Sequence, residues 1–169
     1  PDALQDVPPP PGSSNEQNQS DAFDQYYKKE KGPVDDGTSR VFRVRGERLP
    51  GHRLGFVVGH MPVKPVLAKA RAYEASLTEY LTAQMMVAIG EGMTVRQRKR
   101  PVSITLPVDL RNYFETETGR NFFGAMKAAH NFAESQSFDA VIESVKACFK
   151  QQLQPASVRG RMNRFSALE

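Results

Sequence analysis

At 169 residues, with 39% hydrophobic and 25% charged side chains, the chain has the composition of a soluble globular protein long enough to bury a core. The longest apolar run, residues 85–90, is far short of a membrane span, and the acidic, Pro-rich start has no apolar stretch of the signal-peptide kind. The net charge of +4 is unevenly placed: residues 1–39 hold 8 acidic and 3 basic side chains (−5), and residues 40–169 hold 11 and 20 (+9). A basic body attracts nucleic acid, an anionic membrane or an anionic small ligand such as coenzyme A, and charge alone does not choose among them.

The single cysteine, Cys148, leaves no internal disulfide and sits among helical apolar positions, where it reads as an inert core thiol. A cytoplasmic location is expected, without membrane contact. A start at Pro1 rather than Met suggests a piece of a longer chain.

Residues 1–21 are dominated by Pro, Gly, Ser, Asn and Gln, too poor in apolar surface to offset ordering entropy, and read as a disordered Pro-rich linker. The folded domain is expected over residues 22–169 and is expected to be incomplete. It opens on Ala22-Phe23-Asp24-Gln25-Tyr26-Tyr27, a helical turn with aromatics to dock, followed by a turn-rich connector at residues 34–39. Val41-Phe42-Arg43-Val44-Arg45 alternates apolar and basic residues as a half-buried strand does, and residues 54–61 suggest a second strand covered on both faces.

A helix is expected over residues 62–73. Ser76-Leu77-Thr78-Glu79 is a capping box, opening a helix that ends near Gly90 and Gly92. Leu77, Leu81, Met85 and Ala88 share one face of it. Val102-Ser103-Ile104-Thr105-Leu106 is a period-2 strand that Pro107 should end, and residues 122–132 read as another strand. Ser137 caps a helix with Phe138, Val141, Ile142, Val145, Cys148 and Phe149 apolar, and a further element opens at Pro155.

Little in the chain carries chemistry outright. His52 lies in a turn, His60 near the end of a strand and His130 within one. None has carboxylates or cysteines at metal-ligand spacing, so no metal site is assigned and each histidine reads as structural. Arg96-Gln97-Arg98-Lys99-Arg100 is the sharpest nucleic-acid candidate, but without interleaved aromatics it reads as a solvated loop. Asp109, Arg111 and Asn112 stand at the end of one strand, and Arg120 and Asn121 stand just before the next, gathering polar groups at one edge. Arg111 has a plain structural reading too: pairing with Asp109 or a loop carbonyl and so fixing the turn.

The segment PVSITLPVDLRNYF at residues 101–114, the GRNFFG at 119–124 and the SLTEYLTAQMMVAI helix before them resemble bacterial alcohol-acetyltransferase and condensation-domain-like proteins. These belong to the chloramphenicol-acetyltransferase-like superfamily, and the likeness covers about residues 40–155. It implies an α/β (or α+β) fold: a mixed sheet with helices mainly on one face, as one half of a two-half enzyme. It implies acyl transfer from acyl-CoA or an acyl-carrier thioester to an alcohol or amine, with no tightly bound cofactor. In such enzymes the general base is the second histidine of a His-His-x-x-x-Asp-Gly motif in the first half. Here Phe56, Lys64 and Glu134 stand four residues after the three histidines, so the motif is absent and no residue is assigned as catalytic. The resemblance therefore places the base upstream, makes the missing first half the main partner, and leaves homo-oligomers through the exposed interface as a further expectation. Asp109, Arg111, Asn112 and Asn121 are the expected edge of the substrate tunnel. A catalytically inert binding or scaffold domain is the competing reading, and a basic nucleic-acid-binding module the weakest.

Overall fold

The computed structural model describes residues 21–26, 40–46 and 49–165. The elements, in chain order, are α1 (Ala22–Tyr26), α2 (Val63–Ala72), α3 (Leu77–Glu91), β1 (Val102–Asp109), β2 (Phe123–His130), α4 (Phe138–Gln152) and α5 (Pro155–Phe165). Three 3-10 turns, Pro50–His52, Gln97–Lys99 and Leu110–Asn112, join them. The fold is mixed α/β, with β1 and β2 as a two-stranded antiparallel sheet. Residues 1–20, which hold nearly all of the expected linker, lie outside the described residues.

The sheet is sided. Along β2, Gly124, Met126, Ala128 and His130 are buried, while Phe123, Lys127 and Ala129 are exposed. That is the period-2 signature of a sheet with one covered face. β1 continues through Pro107 instead of stopping there. The Leu110 N–H donates to the Phe122 carbonyl at 3.2 Å, which sets the alternation so that the N–H missing from Pro107 would have pointed away from β2. A proline on that outer side costs the ladder nothing.

The chain divides into two compact units. The first takes in α1, residues 106–126 and α5. Its core is Ala22, Leu110, Phe114, Phe122, Val158 and Met162, with Phe23 and Tyr26 packed against it. The expected aromatic turn thus finds its dock: the Phe23 ring meets Phe122 edge-on at 4.9 Å, and Tyr26 lies 5.0 Å from Phe114. Asp21, assigned to the linker from sequence, accepts from the Phe23 N–H at 2.9 Å and starts this helix.

The second unit takes in residues 36–105 and 127–151. The capping box of α3 forms as expected, with the Ser76 hydroxyl accepting from the Glu79 N–H at 3.2 Å and the Glu79 carboxylate accepting from the Ser76 N–H at 2.7 Å. Just before it, α2 closes on Glu74 in the left-handed region (φ 51°). Glu74 N–H donates to Arg71 O at 2.9 Å and Ala75 N–H to Ala70 O at 3.0 Å, which is a Schellman closure. Tyr73, Tyr80 and Phe138 then pack as a ring cluster, with centroids 4.9, 5.6 and 6.2 Å apart. In α4, Val141, Ile142, Val145 and Phe149 are buried as expected, and Cys148 is only half-buried.

Two expectations for this unit fail. The apolar stripe of Leu77, Leu81 and Met85 faces outward, and α3 instead buries Tyr80, Thr82, Ala83, Met86 and Gly90. This helix is apolar on more than one side, so spacing alone could not choose its buried face. The two strands expected at residues 41–45 and 54–61 are not formed. The first makes one bond, Phe42 N–H to Pro101 O at 2.9 Å, and the second runs extended and uncovered. An alternating sequence supplies the faces of a strand but not the neighbour that pairs with it.

Candidate functional site

The candidate site grows from the turn that ends β1. Asp109 keeps extended backbone and turns its carboxylate onto the Arg111 N–H at 3.0 Å, capping the 3-10 turn Leu110–Asn112. Leu110 drops into the core and passes Gly124 closely. A Cβ on Gly124 would lie 3.2 Å from a Leu110 methyl carbon, so glycine there lets the end of β1 and the start of β2 close together.

That turn throws the Arg111 guanidinium back over the loop. It donates to the Arg120 carbonyl at 2.8 Å, more weakly to Thr118 O at 3.5 Å, and contacts Asp109 Oδ1 at 3.4 Å. One side chain therefore fastens both ends of the 109–120 loop. The Asn112 side-chain amide donates to Asp109 O at 3.4 Å and tightens the same turn. Arg120 reaches Asp21 at 3.9 Å, joining α1 to the clasp.

Three of the four expected edge residues thus come together: Asp109, Arg111 and Asn112. Asn121 is exposed, and no hydrogen bond or ion pair among the described residues joins it to them. What gathers around Arg111 is largely backbone carbonyl from Thr118 and Arg120, which side-chain reading could not single out. The Arg111–Asp109 pair is about half exposed on each side, so its charge–charge contribution is at most about 1 kcal/mol. Its role is to hold shape: the fork of the guanidinium matches two acceptors that a flexible ammonium could not span together.

The histidines were the other candidates for chemistry. His130 is buried at the end of β2, with Nε2 2.9 Å from Ser135 O and Nδ1 2.9 Å from Ser144 Oγ. A carbonyl can only accept, so Nε2 carries the hydrogen. The Ser144 hydroxyl is shared with Ala140 O at 2.9 Å. A serine–histidine nucleophile needs an orienting acceptor on the far ring nitrogen and an open hydroxyl. Here a loop carbonyl takes the first place, and the half-buried Ser144 hydroxyl is engaged with the Ala140 carbonyl of its own helix. His130 is a structural residue, tying β2 to α4. His60 is exposed and stands in the uncovered segment.

Arg98, centre of the basic run, is also committed to structure. It donates to Gln136 Oε1 at 2.6 Å and to Gly90 O at 3.4 Å. Lys146 donates to the Tyr73 carbonyl at 3.2 Å and to Glu143 Oε1 at 2.8 Å, and the Glu143 bond raises its pKa above the usual lysine value. Among the described residues, no group of three His, Cys, Asp or Glu side chains could hold a metal ion, and no helix is long and apolar enough to cross a membrane. No family model, curated protein or solved structure matches the chain.

Proposed function

We propose that this chain is the second half of an acyltransferase of the chloramphenicol-acetyltransferase-like superfamily. The full enzyme would move an acyl group from a CoA or carrier-protein thioester to an alcohol or amine. The observation that carries the reading is the PVDLR and RNFFG pair at residues 107–111 and 120–124. The two motifs are drawn to one loop by the Arg111 clasp, which gives both a common structural purpose. The outward Leu77, Leu81 and Met85 stripe supports the reading from another side, since an apolar helix face of this kind is normally covered by a further body.

On this proposal the first half supplies the general base and closes a tunnel over Asp109, Arg111, Asn112 and Asn121. The second half's task is to hold the edge rigid and to contribute to the thioester site. Acyl-CoA is anionic, and the excess of basic residues over 40–169 favours its approach. Arg111 would not act on substrate directly while its guanidinium is spent on loop carbonyls.

An inert binding or scaffold domain is the second reading. It is favoured by the same internal spending of Arg111 and by the fully satisfied His130. The reading frame upstream of Pro1 separates the two. A His-His-x-x-x-Asp-Gly sequence there supports the enzyme, and a parent gene without it supports the scaffold.

A further inference from the structure

Residues 53–62 form the one stretch of the second unit where sequence pattern and surroundings conflict most. Leu54, Phe56, Val57, Val58 and Met61 are 82%, 84%, 102%, 75% and 59% exposed. The chain there runs without turn or bend, from Arg53 (φ −73°, ψ 142°) to Pro62 (φ −70°, ψ 126°). Among the described residues, no backbone N–H or C=O of residues 54–60 takes part in a hydrogen bond. An extended strand with apolar side chains and idle backbone groups is built to be paired.

Its two glycines stand symmetrically about its middle, while Leu54 and His60 at the ends differ. In L-G-F-V-V-G-H, residues 54–60, Val57 is central, Gly55 and Gly59 flank it at two residues, and Phe56 and Val58 flank it at one. Laid antiparallel on a second copy about a two-fold axis at Val57, Phe56 falls opposite Val58, Gly55 opposite Gly59, and Val57 opposite itself. An aromatic opposite a β-branched residue is a favourable cross-strand pair, and a two-fold interface requires this self-complementarity.

We infer that residues 54–60 of two copies pair as antiparallel strands about a two-fold axis at Val57, making a homodimer. The five exposed side chains present on the order of 800 Å² per copy; covering half of that on each copy, with some backbone, buries about 1,000 Å² in total, the low end of specific interfaces. An area of that size belongs to weak, transient contacts, so dimerisation is to be looked for at micromolar and higher concentrations. A lipid surface is the poorer occupant, because idle backbone groups gain no partner in hydrocarbon and cost several kcal/mol each there. The inference rests on the exposed segment alone and stands or falls apart from the acyltransferase reading.

The test uses the full chain and the variants V57D and V57K. Val57 touches nothing, so neither change should alter folding, which circular dichroism checks. Sedimentation from about 1 to 300 μM should show the wild type passing from monomer to dimer over that range. Each variant alone should weaken dimerisation at least about tenfold, because like charges meet at the axis. An equimolar mixture of the two should recover it, because opposite charges then face one another. A wild type that stays monomeric throughout, variants that dimerise as the wild type does, or a mixture no better than its components would each overturn the inference. So would a monomeric wild type that co-sediments with phosphatidylcholine–phosphatidylserine vesicles through this segment, lost in V57D.

Discussion

Replacing Gly90 with alanine sets two physical effects against each other, and the structure decides the sign. In an ordinary helix the change is stabilising by about 1 kcal/mol, because glycine gives up more backbone freedom on folding. Gly90 lies in the last turn of α3 under the Phe132 ring, and an added Cβ would come within 2.5, 2.6 and 2.8 Å of three ring carbons. Restoring ordinary contact demands a displacement of about 1 Å, and Phe132 has little room to give. It is 3% exposed and its ring stands edge-on to His130 at 4.9 Å, with His130 itself fixed by Ser135 and Ser144. Three simultaneous clashes put the overpacking cost in the upper part of the usual range, about 2–3 kcal/mol, so G90A should lose about 1–2 kcal/mol after the helix gain of about 1 kcal/mol is counted. For a chain of this size that lowers Tm by about 3–6 °C. Urea unfolding measures the free energy directly, and F132L supplies the control: in that background G90A should be neutral or stabilising. A G90A protein as stable as the wild type, or more so, would refute the packing argument.

Other expectations follow from single contacts. R111A should free the Thr118 and Arg120 carbonyls and cost about 1–2 kcal/mol, with faster proteolysis between residues 112 and 121; R111K should recover little, because one ammonium cannot serve both ends of the loop. S76A removes the accepting half of the capping box and should cost about 1 kcal/mol by thermal unfolding. E74G should do the opposite, raising stability by up to about 1 kcal/mol, since a left-handed residue at the end of α2 is easier for glycine.

How much of this was legible in the sequence depended on how local the cause is. The capping box at Ser76 and the apolar spacing of α4 are set by neighbours in the chain, and both hold; the aromatics of α1 also dock, but on Phe114 and Phe122, a partner that the local sequence did not name. The Arg111 turn was legible in both its readings, and the structure shows the structural one: Asp109 and loop carbonyls take the guanidinium. What failed needed a partner elsewhere. Pro107 read as a strand end because sequence does not say on which side of β1 its absent N–H would fall. The outward face of α3 could not be told from its inward face, since Leu77 and Tyr80 are both apolar enough to be buried. The strand expected at 41–45 has the alternation and the one expected at 54–61 the apolar run, but pairing is a property of what lies beside them. Asn121 was grouped with Arg111 by its place in the chain, and the backbone between them turns it out to solvent.

The central claim is that this chain is half of an acyltransferase whose base lies in another half. It is tested most directly by combining it with the segment encoded upstream and following thiol release from acyl-CoA donors with alcohol or amine acceptors. The account predicts no turnover from this chain alone, turnover when the halves are combined, and loss of that turnover when the second histidine of the upstream motif is replaced. Turnover by this chain alone that vanishes on replacing His52, His60 or His130 would contradict it.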